Sequence, residues 1–118
     1  MTKVRIFTLI LGLLGSQASS QNVTGNVLYE ACDDGQPVAI GYCSGYLVGL
    51  WEGLALGATI SAKQGSGSIN VGACPPPDVT FTQARDIAIR YLQNNPQSRH
   101  QDARLLLLDA YRTAFPCS

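Results

Sequence analysis

The run "GYCSGYLVGLWEGLALG", residues 41–57, sets a glycine at every fourth position (Gly41, Gly45, Gly49, Gly53 and Gly57) and carries one charge, Glu52. The flanking residues extend this otherwise uncharged stretch from Val38 to Ala62. Two structures fit such a run: a membrane span with a small-residue seam, or a buried helix of an exported globular protein. At 100° per residue the glycines advance about 40° at each step, which traces a shallow groove along one side of a helix. Ile40, Cys43, Leu47, Leu50, Trp51, Leu54 and Ala58 cluster on the opposite side. A helix that is apolar nearly all round needs cover on both sides. Each helical glycine costs about 1 kcal/mol relative to alanine, so close approach of another helix, from this chain or a second copy, is expected to offset that loss.

Three features oppose the span. Glu52 falls mid-segment, where a charge is expensive in lipid. Only Lys63 lies near as a positive flank. A span would also put Cys32 and Cys74 on opposite sides of the bilayer, leaving one of them in a reducing compartment. The sequence therefore predicts a soluble, buried helix from Pro37 or Val38 to Lys63. Gly45, Gly49 and Gly53, with Tyr46 and Glu52 at the edge, form its packing or dimer face.

The N-terminus has the pattern of an export signal. Lys3 and Arg5 precede an apolar stretch from Ile6 to Leu14, and small residues follow at Ser16 and Ala18. Cleavage after Ala18 leaves residues 19–118 as a single domain. An uncleaved anchor is the alternative, with an apolar core short for a span. Losing Lys3 and Arg5 leaves six basic against eight acidic side chains, a net charge near −2. Such a chain has no nucleic-acid footprint and no basic stripe for an anionic membrane surface.

All four cysteines, Cys32, Cys43, Cys74 and Cys117, follow the signal. An even number in a small exported chain reads as two disulfides. Zinc is the rival reading. It lacks a C-x-x-C pair, and His100 is the one histidine.

The rest of the chain reads as helices. Val23, Val27, Leu28 and Ala31 have helical spacing in a short first segment, which "CDDGQP" ends with turn chemistry. Residues 64–78, "QGSGSINVGACPPPD", form a loop, because no helix survives Pro75–Pro77. It serves either as a flexible connector or as a binding loop. Thr80 with Gln83 makes a capping box ahead of an apolar stripe of Phe81, Ala84, Ile87, Ala88 and Tyr91. "NNP" ends that helix near Asn94. Ser98 with Gln101 reads as a second box, followed by Ala103, Leu106, Leu107, Ala110 and Ala114 until Pro116. No segment of the mature chain shows sustained alternation, so the expected fold is an all-α, disulfide-stapled bundle of about four helices. The short link between the last two helices makes them antiparallel neighbours. That brings Cys74 to Cys117, and the hairpin across "DDGQPVAIGY" brings Cys32 to Cys43. Four cysteines permit three pairings in principle.

Catalytic equipment is hard to assemble from these residues. A nucleophilic cysteine needs a free thiolate beside a base, and all four are expected in bridges. Ser98, His100 and Asp102 share one turn and do not converge as a triad must. Asp33 and Asp34 read as turn residues, and "GSGS" lacks the lysine of a phosphate loop. No cofactor or metal site is expected. Glu52 reads as a rim charge or a partner for an arginine. Tyr42, Tyr46 and Ile60 share its side of the helix, and this glycine-grooved, aromatic-edged face suits contact with another protein.

Four stretches together resemble the Rap/Tai immunity family of Gram-negative bacteria. They are "CSGYLVG" at Cys43, "CPPPDVTFTQ" at Cys74, "YLQNNP" at Tyr91, and the C-terminal pattern Ala103, Leu106, Ala110, Phe115, Pro116, Cys117. The resemblance covers nearly the whole mature chain. It implies a small, disulfide-bonded, all-α periplasmic protein, often a homodimer, that binds peptidoglycan amidases delivered by type VI secretion. Inhibition would work by occlusion of the amidase cleft. The contact residues carried over are Gly65, Ser66, Gly67, Ser68, Ile69 and Asn70. The alternative within the same architecture is a periplasmic acid-stress chaperone, whose switch would rest on its eight carboxylates.

Overall fold

The computed structural model describes residues 22–64 and 71–118. The signal segment, residues 1–18, and the carried-over contact residues Gly65 to Asn70 lie outside the described residues. Four helices follow in order: α1 (Gly25–Asp33), α2 (Pro37–Lys63), α3 (Phe81–Asn94) and α4 (Ala103–Ala114), with a short 3₁₀ turn at Pro96–Ser98. The only β pairing among the described residues is two isolated bridges, Thr24 with Asp102 and Ala73 with Pro116. The all-α expectation holds.

Most helix starts follow from local chemistry. The Thr24 side chain accepts from the Val27 N–H and opens α1. Pro37 occupies the first turn of α2, where its missing N–H costs nothing. At α3 the capping box is complete: Gln83 N–H donates to Thr80 Oγ1 at 3.2 Å, and Thr80 N–H donates to Gln83 Oε1 at 2.8 Å.

The start of α4 differs from expectation. Asp102, not Ser98, is the cap, and it accepts from the Arg104 N–H at 2.9 Å. The reason lies in the tertiary structure. Gly25 N–H donates to Gln101 O, Asn26 N–H to Arg99 O, and Ala103 N–H to Val23 O. The carbonyls of Arg99 and Gln101 are spent on the chain entering α1, so they are not free to accept within a helix, which starts only after them at Ala103. Ser98 belongs to the 3₁₀ turn instead.

α1 and α2 pack side by side, as do α3 and α4, and α3 also meets α1 and α2. The core gathers Leu28, Cys43, Leu47, Leu92, Leu106, Leu107 and Tyr111 around the small residues Ala84, Ala88 and Ala103. Small side chains at those positions let the backbones of α3 and α4 come close. Tyr111 is 1% exposed and stands edge-on to Trp51, ring centroids 5.0 Å apart. The helical stripes need three corrections. Leu92 and Tyr111 are buried core residues, Ala114 is exposed, and Val27 lies half in solvent.

Both disulfides form as expected, Cys32–Cys43 and Cys74–Cys117. The first clamps the α1–α2 hairpin. The second ties the segment before α3 to the chain after α4, where Cys74 N–H also donates to Phe115 O at 2.8 Å.

Candidate functional site

Helix α2 carries the surface of greatest interest. Its 27 residues span about 40 Å at 1.5 Å per residue, roughly twice the reach of the 14-residue α3. One side is used by the core: Cys43 and Leu47 are buried, and Leu50, Trp51 and Leu54 pack against the cluster. Ile40, placed on that side by periodicity, is exposed at 45%.

The opposite side is not covered by any described residue. At Gly41, Gly45, Gly49, Gly53 and Gly57 a side chain would meet no described atom within 4 Å. Of the two covers expected for α2, the described residues provide one, on the Cys43–Leu47 side. Large apolar residues stand along the open side, including Val38 at 86% exposure and Leu56 at 60%, with Tyr42 and Ile60 beside them. The glycines leave depressions between these ridges. Glu52 is exposed on the same side and has no ion-pair partner among the described residues.

The edge of this face is polar at one end. The Tyr42 and Tyr46 rings lie 6.3 Å apart. Burial, and then the Asp102 carboxylate, push the Tyr46 hydroxyl above its usual range, with Arg104 opposing. Asp102 and Arg104 form a forked ion pair at 2.6 Å, and Arg104 Nη2 also donates to Asn22 Oδ1 at 3.3 Å. That guanidinium holds the Asp102 carboxyl below its usual range, first through the side-chain hydrogen bond. Charge at this edge is neutralised locally by the Asp102–Arg104 pair.

The carried-over contact residues Gly65 to Asn70 leave α2 at Gln64 and rejoin the described chain at Val71. The far anchor is firm. Arg112 Nε on α4 donates to Val71 O, and Arg112 also pairs with Asp109 at 3.4 Å. Gly72 follows with φ +76°, a conformation a side chain would strain, and a side chain there would also press on Arg112 at 3.1 Å. Cys74 then locks this segment to Cys117. A cleft of about 340 Å³ lies between Trp51, Leu54 and Ala58 of α2 and the turn at Pro75–Pro77.

Several of the groups considered for catalysis have structural duties. Asp34 accepts from the Gln36 N–H at 2.8 Å in the turn between α1 and α2. Asp102 caps α4, and all four cysteines are bridged. Sequence reasoning missed the buried Tyr111, whose hydroxyl has no hydrogen-bond partner among the described residues. Its position on α4, one after Ala110, was legible as apolar-facing, but a tyrosine there gave no sign of which way its hydroxyl ends. Among the described residues no helix is long and apolar enough to cross a membrane.

Neither a curated protein nor a solved structure matches the chain. The family model of the Rap1a immunity proteins matches residues 24–117, a stretch that includes all four helices and both disulfides. By that match the chain belongs to the Rap1a immunity protein family, whose members protect by binding an effector.

Proposed function

We propose that this chain is a periplasmic immunity protein that binds a peptidoglycan amidase delivered by type VI secretion and occludes its active site. The observation that carries the reading is the family match over residues 24–117. The two disulfides support an oxidising compartment such as the periplasm. Occlusion requires a body that does not yield when pressed into a cleft, because ordering a loose segment on binding subtracts from affinity. The residues that flank 65–70 are held in place, by the 27-residue α2 on one side and by the Arg112 contact to Val71 and the Cys74–Cys117 bridge on the other. The open face of α2 is the second contact surface, shared between the effector and a second copy of the chain in a homodimer.

The test begins with the neighbouring reading frame, which on this reading encodes a small cysteine amidase. The two proteins should co-purify, and saturating immunity protein should abolish cleavage of peptidoglycan stems by that enzyme. Full cleavage in the presence of saturating protein rejects the pair. The exposed apolar residues of α2 also favour a chaperone that holds unfolded clients. That reading predicts suppressed client aggregation near pH 3, and unchanged aggregation there excludes it.

A further inference from the structure

We draw no further inference here: the strongest candidate, the apolar cleft of about 340 Å³ between the C-terminal half of α2 and residues 71–79, is an unpartnered apolar hollow, and nothing in the structure shows what covers it.

Discussion

Replacing Tyr111 with phenylalanine should stabilise the protein, an unusual outcome for a change at a fully buried position. The ring is 1% exposed and packs edge-on to Trp51 at 5.0 Å, contacts that phenylalanine keeps. The hydroxyl is buried with no hydrogen-bond partner among the described residues. Burying such a group unpaired costs about 1–3 kcal/mol, and removing it recovers that cost less the small void left by one oxygen. A net gain of about 1 kcal/mol corresponds to roughly 4–8 °C in Tm for a domain of this size. Burial also pushes the hydroxyl from an ordinary value of 10.0 up to about 12. The folded state therefore holds this proton more tightly than the unfolded state. The associated stability is fully present below pH 10 and declines as the pH climbs toward 12. By pH 11 the wild type should have lost roughly 1.4 kcal/mol through this group alone, a loss that Tyr111→Phe lacks. Urea unfolding of both proteins, disulfides intact, at pH 7 and at steps up to pH 11 gives the two numbers. Because the other titrating groups are common to both chains, the difference isolates Tyr111. A variant less stable than wild type at pH 7, or a gap that does not widen with pH, would refute the argument and place a partner on the hydroxyl.

Three other perturbations probe different parts of the structure. Gly25→Ala adds a methyl 2.5 Å from Leu106 Cδ1 and 3.0 Å from Arg99 O, so a loss of about 1–3 kcal/mol in thermal or denaturant unfolding is expected; wild-type stability would show that α1 can shift. A Cβ at Gly49 meets no described atom within 4 Å, so with Gly49→Leu the isolated monomer should be as stable as wild type or up to about 1 kcal/mol more so. Sedimentation should nevertheless show weakened self-association, and an unaltered dimer would remove α2 as the seam. Opening Cys74–Cys117, which closes a separation of 43 residues, should cost about 4 kcal/mol, against about 3 kcal/mol for Cys32–Cys43 with a separation of 11. Paired Cys→Ser variants measured by urea unfolding check that order, and the reverse order would mean that the reduced chain retains structure around the longer loop.

Where the sequence alone sufficed, the determining interactions were local. Thr80 and Gln83 announce the start of α3 because the capping box needs only four consecutive residues. Pro37 and Lys63 bound α2 for the same reason, and the short connection between α3 and α4 makes their ends meet, which pairs Cys74 with Cys117. The family resemblance was legible too, because its motifs are built from these cysteines, prolines and caps.

What the tertiary structure decided involves residues distant along the chain. The sequence of α2 separates a glycine side from a side carrying Cys43, Leu47 and Trp51, but being apolar nearly all round it does not say which of them this chain covers; contact with α1 and α3 took the Cys43–Leu47 side and left the glycines clear of every described residue. The start of α4 moved to Asp102 because the backbone at 99–101 is held by residues 25 and 26, a competition that no four-residue motif records. Local hydrogen bonds can be read from neighbours in the sequence; burial and long-range backbone pairing exist only once the helices have met.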